Sequence, residues 1–223
     1  MAARRRTARD ERRRELGQNF LEPELGRELV EHARFSGDQL VVEIGAGRGA
    51  LTHALARVPI DVLAVELDPV WAERLRRELA GARRVRVVRA DFLAFRLPAR
   101  PFRVIGSLPF GRTTEICRRL FDDPTLPLER ADLVVQWEVA VKRASQPPTS
   151  LLGAAWAPWW EFRLGQRIPA AAFRPMPRAD AGVLVVTRRR PALLPPALAC
   201  DYGRFLRAHW PASGVSSPRA PPS

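Results

Sequence analysis

Short apolar runs alternate along this chain with segments of helical period, and three of the runs end directly in a polar or glycine-rich motif. That alternation belongs to a doubly wound α/β domain, a parallel sheet covered by helices on both faces. Strands are expected at residues 39–44, 61–66, 84–89, 102–107, 131–136 and 182–188, and helices near 50–57, 69–79, 113–121 and 138–144. The runs that end at Gly45, Glu66 and Ser107 constrain function most. In open α/β sheets ligands bind outside the carboxyl ends of the strands, so these motifs are expected to share one crevice.

A chain of 223 residues can bury one sizeable core. One main domain is expected over residues 16–190, preceded by a basic arm at 1–15 and followed by a proline-rich tail at 191–223. The tail is expected to hold a short helix around 202–210 and a disordered end. The formal net charge is +13, and Lys142 is the one lysine among the basic side chains. A GC-rich coding bias accounts for most of the preference for arginine; the excess of positive charge itself points to a polyanionic partner. A merely solvated surface is the plain alternative.

Cys117 and Cys200 lack metal-ligand spacing, and His32, His53 and His209 are scattered. Neither a zinc site nor a disulfide framework is expected, and a reducing cytoplasm is the default. The most apolar region, 151–160, is about half the length of a membrane span and contains Pro158, so no membrane segment is expected. Asp10, Glu11 and Glu15 break the acid-poor pattern of a transit peptide, so the arginine-rich start reads as part of the mature chain.

The run Glu43-Ile44-Gly45-Ala46-Gly47-Arg48-Gly49 follows a strand and opens a helix, which lets backbone N–H groups approach a ligand where a Cβ would clash. Its G-x-G-x-G spacing behind an acid differs from the dinucleotide fingerprint and resembles the loop that binds S-adenosylmethionine. A tight strand-to-helix turn without a ligand is the alternative. Glu66, about 20 residues on, stands where an acid accepts hydrogen bonds from ribose hydroxyls. Asp91 ends the third strand, either as an acceptor for the cofactor's adenine amine or as a helix cap.

Gly106-Ser107-Leu108-Pro109-Phe110 is similar to the D/N/S-x-P-Y/F element of amino methyltransferases. The lone pair of an exocyclic amine is delocalised into its ring, so the amine must be held by two acceptors in line with the methyl group. The Ser107 hydroxyl and the Leu108 carbonyl are the candidate acceptors, Pro109 shapes the turn, and Phe110 is placed to stack on a flipped base. A loop with a buried Phe is the alternative.

Together these motifs resemble one family, the rRNA adenine N6-methyltransferases, which comprise the macrolide-resistance Erm enzymes and the housekeeping dimethyladenosine transferases. The resemblance begins at Gly17-Gln18-Asn19-Phe20-Leu21 and runs through Glu43–Gly49, Glu66-Leu67-Asp68, Asp91-Phe92-Leu93 and Ser107–Phe110 to Phe173-Arg174-Pro175-Met176-Pro177. It implies a Rossmann-like class I fold with a mostly parallel seven-stranded sheet and helices on both faces. It further implies that Asn19, Leu21, Gly45, Gly47, Glu66, Asp91 and Ser107 contact S-adenosylmethionine, and that Phe173 is a second wall of the base pocket. Val135–Ala140, Trp156–Trp159 and the arginine-rich arm resemble the Erm branch, whose activity on 23S rRNA blocks macrolides, lincosamides and streptogramin B.

Two departures stand out. Ser107 replaces the usual Asn, which shortens the acceptor's reach and leaves efficiency and the number of methyl groups open. Only 33 residues follow Arg190, where the family carries a helical domain, so the chain is expected to be shortened there and to lean on its arm and cleft for RNA. Arg4, Arg5, Arg6, Arg12, Arg13 and Arg14 are the arm's expected phosphate contacts. The resemblance implies a monomer that acts on 23S rRNA or its precursor by direct in-line transfer, without a metal. Small-subunit rRNA dimethylation, and RNA or DNA binding without turnover, are the alternatives.

Overall fold

The computed structural model describes residues 19–210. The arginines expected to contact phosphate, at positions 4 to 14, and Gly17 and Gln18 of the family signature lie outside the described residues. Nine strands are described: β1 (Phe20–Leu21), β2 (Leu40–Ile44), β3 (Asp61–Glu66), β4 (Val85–Arg89), β5 (Phe102–Ser107), β6 (Leu128–Gln136), β7 (Trp160–Ile168), β8 (Phe173–Arg174) and β9 (Ala181–Arg188). The helices are α1 (Pro23–Ala33), α2 (Ala50–Leu55), α3 (Pro69–Glu78), α4 (Thr113–Phe121), α5 (Trp137–Ala144), α6 (Leu151–Trp156) and α7 (Ala199–His209).

Seven strands form one sheet in the order β4-β3-β2-β5-β6-β9-β7. Pairing is parallel from β4 through β6, while β9 runs antiparallel to both β6 and β7, so the mostly parallel seven-stranded sheet is borne out. The expected strands are all present within a few residues of their predicted ends. β7 was not expected: its alternation is interrupted between Leu164 and Arg167, where Gly165 and Gln166 leave the register with β9. Helices α1 and α6 also went unpredicted.

Alternation along the strands sorts the core into two layers. Leu40, Val42 and Ile44 face the side that holds Phe121, Trp156 and Trp160, whereas Val41, Val62, Ala64 and Ile105 face α1, α2 and α3. On the first side Phe121 meets Trp156, Trp160 and Phe162 edge-on, at centroid distances of 5.3 to 5.6 Å. Helix α7 extends the expected 202–210 segment toward the N-terminus and packs on α6, with Tyr202 edge-on to Trp159.

The second side buries charge. Arg103 and Asp132 lie on adjacent strands with side chains 8% and 7% exposed, 3.2 Å apart. Asp132 also takes a 2.6 Å contact from Arg130, and Arg103 donates to the carbonyls of Ala33 and Arg34 at the end of α1. The pair therefore pins α1 to the sheet.

Candidate active site

The carboxyl ends of β2, β3, β4 and β5 meet at one edge of the sheet, and the loops that follow them line a cleft of about 140 Å³. Gly45, Gly47, Glu66, Asp91, Ser107, Leu108, Pro109 and Phe110 all line it, together with Asn19 and Phe173. The crevice expected from three strand ends is thus one cavity. Leu21 is the exception: it does not line the cleft but two neighbouring cavities, because β1 sends Phe20 and Leu21 to opposite sides.

The glycine loop needs its glycines. Gly45, Gly47 and Gly49 have φ of +69°, +53° and +88°, a region that costs side-chain-bearing residues free energy. A Cβ on Gly47 would also stand 2.9 Å from the Phe20 ring. Glu66 holds the loop in place: one carboxyl oxygen accepts the Gly47 N–H at 2.6 Å and the other the Asp68 N–H at 2.7 Å. Burial raises the proton affinity of Glu66, and these backbone bonds oppose that rise. Asp91 caps a turn and lines the cleft. Its Oδ1 caps the following turn through the Leu93 N–H at 2.9 Å, while Oδ2 lies 3.9 Å from Arg112 at the cleft wall.

On the target side, the Leu108 side chain is buried in the core and its N–H donates to the Val134 carbonyl, so its own carbonyl is the group left for a ligand. The Pro109 and Phe110 carbonyls accept from Arg112 and Thr113, whereas neither the Leu108 carbonyl nor the Ser107 hydroxyl is bonded among the described residues. Phe110 is half-buried. Phe173 has no exposed surface and backs the cleft from within the core.

Sequence reasoning gave no role to Phe20, Leu67, Phe92, Leu93, Arg112 and Ile116, which also line the cleft. Only Phe20, Leu67, Phe92 and Leu93 sit inside the quoted motifs. It also gave no role to Glu43, which faces α2 and is 1% exposed, with its Oε2 unbonded beside Thr52. Burial pushes its carboxyl up to about 8, with Glu66 adding to the rise and Thr52 opposing it. A proton affinity raised by folding contributes stability that is complete below the ordinary carboxylate range and lost as pH climbs through about 8. Glu43→Gln, a neutral isostere, is expected to gain on the parent by up to roughly 1.4 kcal/mol per pH unit across that window. Urea unfolding from pH 5 to 9 checks this, and parallel stability curves would contradict the assignment.

Among the described residues no helix is long and apolar enough to cross a membrane, and no group of three or more potential ligands is placed to hold a metal. Cys117 is buried, with its thiol pushed up to about 12 by burial; Cys200 is exposed, and both are unpaired.

Glycines that let backbone approach, two acids at successive strand ends and unbonded acceptors opposite them suit a nucleoside cofactor beside an amine-bearing base. Known proteins with this arrangement lead to the same place. The chain is 41% identical over 177 residues to an rRNA adenine N-6-methyltransferase of Corynebacterium diphtheriae, covering 79% of this chain and 68% of that protein. It is 40% identical over 196 residues to the mycinamicin-resistance protein MyrB of Micromonospora griseorubida, covering 87% of this chain and 62% of the relative. The crystal structure of the 23S rRNA methyltransferase ErmE superposes with a TM-score of 0.75 at 32% identity, over 85% of this chain and 78% of that one. The model of the ribosomal RNA adenine dimethylase family matches residues 9–209, nearly the whole chain, and the chain belongs to that family.

Proposed function

We propose that the protein is an Erm-type enzyme that methylates N6 of an adenine in 23S rRNA, in the cytoplasm, and so confers resistance to macrolides, lincosamides and streptogramin B. The observation that carries this reading is the meeting of Gly45, Glu66 and Asp91 with Ser107–Phe110 in a single cleft. The cofactor that fits is S-adenosylmethionine, which when bound supplies an electrophilic methyl group. Backbone at Gly45 and Gly47, with Asn19 alongside, would hold its amino-acid arm, Glu66 would accept from the ribose hydroxyls and Asp91 from the adenine amine.

The Ser107 hydroxyl oxygen and the Leu108 carbonyl accept the two N–H bonds of the target amine, which turns its lone pair toward the methyl carbon. Phe110 stacks on the extruded base, with Phe173 behind it. Alignment and the displacement of water supply the rate, and no dedicated base is needed because alkylation makes the amine acidic enough to lose its proton to water. The arginines at positions 4–6 and 12–14 contribute phosphate contacts.

Labelled S-adenosylmethionine offered with separate large- and small-subunit rRNA tests this reading. Label is expected in an adenine of the large-subunit RNA. Label confined to the small subunit would redirect the activity, and cofactor binding with no transfer would leave a binding protein. Ser107→Ala is expected to lower the single-turnover rate by about one to two orders of magnitude, the worth of one lost transition-state hydrogen bond, and by more than it lowers cofactor affinity. Ser107→Asn retains activity. Transfer at the parent rate by Ser107→Ala would reduce the serine to a spacer.

A further inference from the structure

Next to the cleft lies a second depression, of about 430 Å³, between α1, α2 and α3. Its lining holds five arginines, Arg27, Arg48, Arg57, Arg74 and Arg174, against one acid, Glu22. They arrive from separate elements: Arg27 on α1, Arg48 in the glycine loop, Arg57 after α2, Arg74 on α3 and Arg174 on β8. All five are exposed at the surface. Glu24, Glu78 and Glu22 offset three of them by pairing with Arg27, Arg74 and Arg174. Arg57 carries no ion pair among the described residues, and the Arg48 guanidinium rests 4.7 Å from the Phe20 ring centre and 5.5 Å from that of Trp71. Among the described residues the Arg57 charge is thus left without a facing acid in the groove.

The groove and the cleft are the two sides of one thin wall. Residues β1 and β8 pair as a two-stranded ladder, Phe20 with Arg174 and Leu21 with Phe173. Phe173 lines the cleft and Arg174 the groove, while Phe20 borders both. A strand whose base enters the cleft thus has its neighbouring phosphates within reach of the groove.

We propose that this arginine groove holds the sugar–phosphate backbone of the RNA flanking the target adenine. The inference rests on the methyltransferase reading above. Guanidinium groups suit phosphate oxygens, and such contacts position an RNA without reading its sequence.

The test is Arg27→Glu/Arg57→Glu against Arg84→Glu/Arg100→Glu, an equal charge change at exposed sites by the amino ends of the strands. RNA affinity is measured by fluorescence anisotropy on a large-subunit rRNA fragment over a range of salt, and cofactor affinity by calorimetry. Each lost phosphate contact lowers the slope of log affinity against log salt by roughly 0.7 to 0.9. The groove variant is expected to flatten the slope by about one to two and to lose roughly tenfold or more in affinity at 0.1 M salt, with cofactor affinity at the parent value. An unchanged slope, or an equal change in the control variant, overturns the groove. If the parent methylates the fragment while the groove variant behaves as the parent, the groove alone fails; if the parent neither binds nor methylates rRNA, the activity reading fails with it.

Discussion

Gly47→Val is expected to abolish measurable cofactor binding, a loss of at least about a hundredfold, in a protein that remains folded. Two costs coincide at this position. The backbone sits at φ +53°, which a β-branched residue adopts only under strain of about 1–3 kcal/mol, and the new Cβ would lie 2.9 Å from Phe20. Relief requires the loop to move, and movement breaks the 2.6 Å bond from the Gly47 N–H to Glu66. Glu66 variants probe the same latch from the other side. Both of its carboxyl oxygens accept backbone N–H groups, so Glu66→Gln must turn an amide NH₂ against one of those donors and Glu66→Ala leaves both without a partner. Each orphaned buried donor costs about 1–3 kcal/mol. Calorimetry should rank affinity as parent, then Gln, then Ala. Parent affinity in Gly47→Val would remove the loop from the cofactor site.

Asp132→Ala is expected to cost about 3–5 kcal/mol of stability, because it strands the Arg103 charge in a site 8% exposed. The paired replacement Arg103→Met/Asp132→Leu removes both charges and is expected to lose much less, since most of the single variant's cost is the unpaired charge and not the lost attraction. Urea unfolding of the two variants separates these contributions. Equal losses would mean that Arg103 acts mainly by tethering the Ala33 and Arg34 carbonyls of α1.

Much of this fold was legible because its central strands carry their own punctuation. Asp61–Glu66 and Phe102–Ser107 each run apolar to the sheet edge and then stop at a functional polar residue, so their bounds and their common crevice could be read together. β7 could not be read this way. Its sequence carries Arg163, Gly165, Gln166 and Arg167 through an edge strand whose register slips, and period-two reading needs an unbroken run. Helix α1 did carry a signal, with Pro23 at its first turn and Leu29, Val30 and Ala33 on its buried face. The site divides along the same line. Motif residues at strand ends were legible, whereas Glu43 became notable only once its face of β2 and its neighbour Thr52 were known. The groove arginines are spread across five short stretches, and no local pattern links them.

The ladder between Phe20–Leu21 and Phe173–Arg174 joins segments about 150 residues apart. This has a consequence for the order in which the molecule can be made. As a chain emerges from its amino end, Gly45, Glu66, Asp91 and Ser107 are all out well before Arg174, and until then the Phe20 wall beside them has no partner. Contacts across such separations close late, because the entropy of a long loop is lost before the contact repays it. An unfinished chain therefore has its glycine loop and acids in hand while it still lacks both the back of the base pocket and one side of the arginine groove. The cleft and the groove are therefore closed by the same late pairing, although most of the residues that line them are made early.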